Sequence, residues 1–162
     1  MTYLKNISKP KNLLIPYAES EPETIKSIFH LVKIKRGQKT LDMGSGDGRI
    51  VIAMAKRGAE AYGIEIREKY VRRSKWNILK ENLEDKAFIH QKDFWEENLN
   101  TYDIITIYPM AALMEKLEKK LSKELKSGAI VITNGFRIPG WKTWKEKGFT
   151  FVYKKLANNQ VL

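Results

Sequence analysis

The chain has 162 residues, 43% of them hydrophobic and 30% charged, with no cysteine and two histidines. That is the composition and length of one globular domain, large enough to bury about 70% of its unfolded surface without covalent staples. It excludes a disulfide scaffold, a thiolate metal site and a cysteine nucleophile, and it leaves a histidine metal site or a Ser-His triad almost nothing to use.

The net charge of +11 can attract nucleic acid, anionic lipid or an acidic protein, and it serves solubility equally well. No stretch approaches the roughly 20 apolar residues of a membrane span. Residues 1–11 lack the apolar run of a signal peptide. The sequence therefore predicts a cytoplasmic protein with no membrane span and no metal site, one domain over residues 1–162 with residues 1–19 as a lead-in.

In chain order, Ser20 stands three residues before Glu23 and ahead of Ile25, Ile28, Phe29 and Val32. This capping-box pattern predicts a helix over residues 21–32. Residues 39–43 form a short β run into Gly44-Ser45-Gly46-Asp47-Gly48, after which Ile50, Val51, Ala53, Met54 and Ala55 carry a helix. Residues 61–66 read as a second strand, 67–82 as a helix and 87–91 as a third strand. Residues 102–108 (YDIITIY) have the near-continuous apolar character of a central parallel strand. Leu113, Leu117, Leu121 and Leu125 recur every four residues in a helix that Ser127-Gly128 ends. Strands at 129–133 and 149–154 complete the series. The βαβ succession predicts an α/β fold: a doubly wound, mainly parallel open sheet with helices on both faces and a ligand crevice at the carboxyl ends of its strands.

The glycines at 44, 46 and 48 let the chain turn sharply off the first strand and bring bare backbone near a ligand. Their GxGxG spacing, with Asp42 two residues ahead, differs from the dinucleotide fingerprint and lacks the Lys-Ser/Thr of a phosphate-binding loop. Such a loop suits a nucleoside with a charged amino-acid tail. Glu65, near the end of the second strand, is placed to accept from both hydroxyls of a ribose. Asp93, after the third strand, is placed to accept from an adenine amino group, with Phe94 to pack on the ring. Each residue also has an ordinary role: Glu65 as a strand terminus, Asp93 as a helix cap, Asp42 as a turn former. His30 and His90 read as structural.

Together these features resemble the class I S-adenosylmethionine-dependent methyltransferases, whose fold is Rossmann-like, over residues 14–142. Pro16-Tyr17, LDMGSGDGRIVIAMAK, GIEI, TIY with EKL and KELKSG, and Thr133-Asn134-Gly135-Phe136 with Pro139-Gly140-Trp141 are similar to the small archaeal protein-lysine methyltransferases and their mitochondrial relatives that modify the c-subunit of ATP synthase. The chain departs from that group at Ala18-Glu19-Ser20, where Val-Pro-Thr is usual, and at Pro109-Met110-Ala111 and Met114, beside the acceptor pocket. The resemblance implies S-adenosylmethionine as cofactor, held by Tyr17, Asp42, Gly44, Ser45, Gly46, Gly48, Glu65, Asp93 and Phe94. It implies protein substrates with accessible lysines, an acceptor side built from Tyr108, Asn134, Phe136 and Trp141, and Tyr17 and Tyr108 as orienting residues. Two rival readings stand beside it. The net charge of +11 and the basic residues of 137–155, interleaved with Trp141, Trp144 and Tyr153, suit an RNA or DNA methyltransferase, although the Asn/Asp-Pro-Pro-Tyr/Phe motif usual after strand four is replaced by Ile107-Tyr108-Pro109-Met110; the basic residues of 67–80 read as a solvated helix face. A non-catalytic module that keeps the fold is the other.

Overall fold

The computed structural model describes residues 20–157 and residue 161; Tyr17 and the lead-in lie outside the described residues. The elements are α1 (Pro22–Leu31), β1 (Lys39–Met43), α2 (Arg49–Ala55), β2 (Glu60–Glu65), α3 (Glu68–Lys80), β3 (Ala87–Gln91), β4 (Ile104–Ile107), α4 (Met114–Glu124), β5 (Ile130–Asn134), β6 (Lys145–Lys147) and β7 (Thr150–Lys154). They form a sheet of order β3-β2-β1-β4-β5-β7-β6. Strands β1 to β5 are parallel, and β7 inserts antiparallel between β5 and the edge strand β6. The order reverses between β1 and β4, which puts the switch-point crevice at their carboxyl ends.

Alternation along the strands feeds two apolar layers. Ile104, Ile132 and Val152 face α1, α2 and α3, packing with Ile28, Val51, Met54, Val71 and Ile78. Leu41, Met43, Ile105, Val131 and Tyr153 face α4, packing with Leu117 and Leu121. The predicted leucine periodicity runs slightly past the helix: Leu113 ends a 3-10 turn before α4 and Leu125 follows it. Between β3 and β4 the second layer has two 3-10 turns instead of a helix. Lys120 of α4 pins that segment, its Nζ donating to the carbonyls of Trp95 (3.1 Å) and Glu97 (2.7 Å) and to Glu124 (2.8 Å).

Two expectations change. The capping box does not form: Glu21 is the N-cap of α1 and makes no side-chain cap bond. Pro22 at the first helical position supplies the preset φ instead, and the amides of Thr24 and Ile25 donate to the Glu21 carbonyl. Ser20 is turned to another use, its carbonyl accepting from Arg49 Nη1 at 3.0 Å. The second change is β6, which carries no apolar residue and is exposed throughout. Its charged side chains suit a protected sheet edge, and α1 packs across it, with Lys145 Nζ donating to the Leu31 carbonyl at 3.1 Å.

The segment leaving β5 is anchored from below. The buried Tyr153 hydroxyl accepts from the amide of Ile138, itself buried, at 3.0 Å. Tyr153→Phe keeps the ring and strands that amide, so it should cost about 1–3 kcal/mol. Thermal denaturation checks this, and an unchanged melting temperature would remove the anchor from the account.

Candidate active site

The loop after β1 is held from two sides before any ligand is considered. The amides of Gly44 and Ser45 both donate to the Ile64 carbonyl, at 2.8 and 2.9 Å, which lays the loop across the end of β2. The close approach depends on Gly63: a Cβ there would sit 2.6 Å from Ser45 Oγ. On the other side Gly48, at φ 82°, is the left-handed residue that starts α2, and a Cβ on it would lie 2.9 Å from that of Ser74 in α3. Asn77 Nδ2 donates to the Asp47 carbonyl at 3.0 Å. Gly44 stays exposed with open space over its backbone, whereas Gly46 and Gly48 are buried.

Glu65 is 2% exposed. Its Oε2 accepts from the Gly46 amide at 3.1 Å, and its Oε1 accepts from the amide and Nε of Arg67 at 2.9 and 3.0 Å. A carboxylate offers about four acceptor directions, so Oε2 keeps capacity beside the loop. Asp42 stands opposite Thr106 in the β1/β4 register, and its Oδ1 accepts from the Thr106 hydroxyl at 2.8 Å. Burial pushes the Asp42 carboxyl up to about 7; the Thr106 bond opposes this, and the neighbouring charges of Glu65 and Asp47 add to it. Asp47 goes the other way. Burial raises it, but two hydrogen bonds and the charge of Arg49, with Arg73 behind, hold it below the usual carboxylate range. Arg49 grips both Asp47 oxygens, at 2.9 and 2.7 Å.

Two small clefts open at this end of the sheet. One is lined by Asp42, Gly44, Ser45, Gly46 and Asp47, and the other by Thr24, Ile28, Thr106, Ile132 and Asn134; Ser20, Ile50 and Tyr108 line both. Tyr108, 47% exposed, packs its ring on Gly135, where a Cβ would meet Cε2 at 2.9 Å. Asn134 Oδ1 accepts from the Thr150 hydroxyl at 3.1 Å. Thus Asp42, the glycine loop, Tyr108 and Asn134 come together, with Glu65 directly beneath the loop.

The other expected residues line neither cleft. Asp93 caps a 3-10 turn, accepting from the Trp95 amide at 3.0 Å, and Phe94 packs on Trp95 with ring centroids 4.9 Å apart. Phe136 is exposed on the rim, its carbonyl held by the Thr133 hydroxyl at 2.7 Å. Trp141 is directed to α4 and β7 instead of either cleft: its indole N–H donates to Glu118 at 3.2 Å and its ring meets Tyr153 edge-on. Sequence reasoning missed Arg49, Gly63 and Thr106. The Asp47-x-Arg49 spacing was a usable signal for the first, while Gly63 and Thr106 matter only through strand register.

A family model of the ANTKMT methyltransferase domain matches residues 42–145. The ATP synthase C-subunit lysine N-methyltransferase of Homo sapiens is 33% identical over 131 residues, covering 81% of this chain and 56% of that protein. The protein-lysine N-methyltransferase of Saccharolobus islandicus is 31% identical over 129 residues, covering 78% of this chain and 80% of that protein. Among solved structures, an RNA methyltransferase from Salinibacter ruber in complex with S-adenosyl-L-homocysteine superposes with a TM-score of 0.82 at 23% identity, covering 86% of this chain and 95% of that one. At that identity the likeness is one of fold. The chain spans 56% and 58% of the lengths of the human and Xenopus laevis relatives.

The raised Asp42 carboxyl has a sign that can be measured. In the folded protein it keeps a proton that the unfolded chain has already released, so its contribution to stability falls as pH rises from about 4 to 7 and is flat above. Asp42→Asn should therefore gain on the wild type across that window, by up to about 4 kcal/mol at pH 8. Denaturant melts at pH 5 and pH 8 measure the gap; a gap independent of pH would contradict the assignment.

Proposed function

Because the chain belongs to the ANTKMT methyltransferase domain family, we propose that it binds S-adenosylmethionine on the glycine loop and transfers the methyl group to the ε-amine of a lysine in a protein. The observation that carries the cofactor half is the buried Glu65 carboxylate set under the loop of Gly44 to Gly46, with a second buried carboxyl, Asp42, on the cleft that this loop lines. This donor set fits the group: a carboxylate for ribose hydroxyls and open glycine backbone for close approach. The lysine half is supported by the lysine N-methyltransferase activity for which the human and Saccharolobus relatives are named.

The cofactor supplies a methyl already activated on a sulfonium, so the chain needs alignment and exclusion of water more than acid-base groups. Glu65 takes hydroxyl donors on Oε2 and, where the Arg67 Nε bond opens, on Oε1. Asp42 gives up its proton when a cationic amino group is held nearby, because an adjacent positive charge favours the ionised carboxyl. Tyr108 stands where the two clefts meet, and its ring face attracts both the ammonium of an acceptor and a sulfonium. Thr24, Ile28, Ile132 and the ring of Tyr108 give the second cleft a largely apolar wall. An apolar wall favours the neutral amine over its ammonium form, and deprotonation would otherwise cost about 4–5 kcal/mol at pH 7. A neutral nitrogen held in this cleft would be poised to take that methyl group, with the electron pair of the carbon–sulfur bond left on sulfur and the proton of the alkylammonium passed to solvent.

Glu65→Ala should weaken binding of S-adenosylhomocysteine by about 30-fold, some 2 kcal/mol. Calorimetry on a variant with a native melting profile tests it, and wild-type affinity would remove Glu65 from the site. For the acceptor, label from radioactive cofactor in a whole-cell extract should enter nuclease-resistant protein, at a rate that climbs between pH 7 and 9.5 as the amine deprotonates. Label confined to nuclease-sensitive material would transfer the reading to an RNA or DNA methyltransferase.

A further inference from the structure

The carboxyl end of the sheet carries more apolar surface than the two clefts use. Tyr108 follows β4, Phe136 lies two residues beyond β5, and Phe149 immediately precedes β7. Because β7 runs antiparallel, its start lies level with the end of β5: Thr150 pairs with Asn134, and the Gly135 amide donates to the Phe149 carbonyl at 2.9 Å. Neighbouring strands are about 4.8 Å apart, so Tyr108 and Phe149 stand two spacings, roughly 10 Å, apart along one rim. The three side chains are 47%, 42% and 76% exposed. Single exposed apolar residues are ordinary, but three aligned on the edge of a reaction site mark a contact surface.

The fold does not require an aromatic side chain at 149. Gly148, at φ 58°, supplies the turn, and a small polar residue would serve beside it. The rim meets the second cleft at Tyr108, which lines it. Arg137, one residue after Phe136, is not offered to a phosphate: it pairs with Glu146 at 2.6 and 3.0 Å and lies over the Phe151 ring. The rings offer apolar contact that the side chains of a polypeptide segment can fill.

We propose that Tyr108, Phe136 and Phe149 form a docking rim for apolar side chains flanking the acceptor lysine, with Phe149 as a residue that sets acceptor choice without touching the reacting atoms. The proposal rests on the lysine reading above. In it Phe149 contributes binding energy common to ground and transition states, so its loss raises KM and leaves kcat unchanged.

The test uses the full chain, wild type and Phe149→Ser, with two synthetic peptides: one has its lysine flanked by Leu, Val and Ala, and the other by Gly and Ser. Fluorescence polarisation in the presence of S-adenosylhomocysteine reads binding, and label transfer reads turnover. The wild type should bind the apolar peptide at least tenfold tighter than the polar one. Phe149→Ser should lose that preference through KM, with its melting temperature unchanged, and Phe149→Leu should keep most of it. Equal binding of the two peptides by the wild type, or an unaltered preference in Phe149→Ser, overturns the rim. The same holds for tighter binding of a single-stranded oligonucleotide that depends on Phe149, or for a dimer that Phe149→Ser dissociates, since these assign the surface to nucleic acid or to a second copy. Binding without label transfer to either peptide counts against the lysine reading and leaves the rim standing.

Discussion

The site depends first on one hydrogen bond, from the Gly46 amide to the buried Glu65 carboxylate. A carboxylate 2% exposed must have its oxygens satisfied by the protein, and here the partners are a loop amide on one side and Arg67 on the other. The bond therefore works in both directions. It fixes the loop over the end of β2, and it keeps Glu65 aimed at the loop instead of outward. The Ile64 carbonyl, taking two further loop amides, and the missing side chain at Gly63 make the approach possible.

Around that clamp, two acidic side chains within a short reach of one another are put in different states. Asp47 is held ionised by the two-pronged grip of Arg49. Arg49 also reaches the Ser20 carbonyl, so the same guanidinium ties the start of the described chain to the loop. Asp42 has a threonine instead of a cation, and burial dominates. A carboxyl left near half-ionisation at neutral pH, inside a cleft, responds to the charge of whatever enters.

Much of this was legible in the sequence because it is local. The strand-loop-helix pattern around 39–55, the leucine repeat of α4 and the strand-end position of Glu65 are set by spacing alone. What escaped is set by register or by distant partners. Thr106 matters to Asp42 only because β1 and β4 pair with those residues opposite. Ser20 lost its expected cap role to Pro22, a local competitor whose preset φ starts the helix without a side-chain bond. Trp141 has the composition of a pocket wall, but a glutamate on α4 and the ring of Tyr153 orient it elsewhere. The charged strand β6 carries no periodic signal, since an edge strand with no buried side chain has no reason to alternate.

The two halves of the crevice are built by different physics. On the glycine-loop side, backbone and carboxylates are fixed by several hydrogen bonds, and the loop sits between β2 and α3 with no space for a Cβ at Gly63 or Gly48. Such a site has little freedom to accept alternative ligands. On the other side, past Tyr108, the surface is exposed aromatic rings on strand-end connections, which make few directional bonds. Rings of this kind contribute contact area without prescribing a sequence. Under the proposed function, a rigid loop side beside a less directional rim would let one scaffold keep its chemistry while its choice of acceptor varies. The variation is then expected where this chain departs from the pattern it resembles, at Pro109-Met110-Ala111, directly after Tyr108, and at Met114, the first residue of α4.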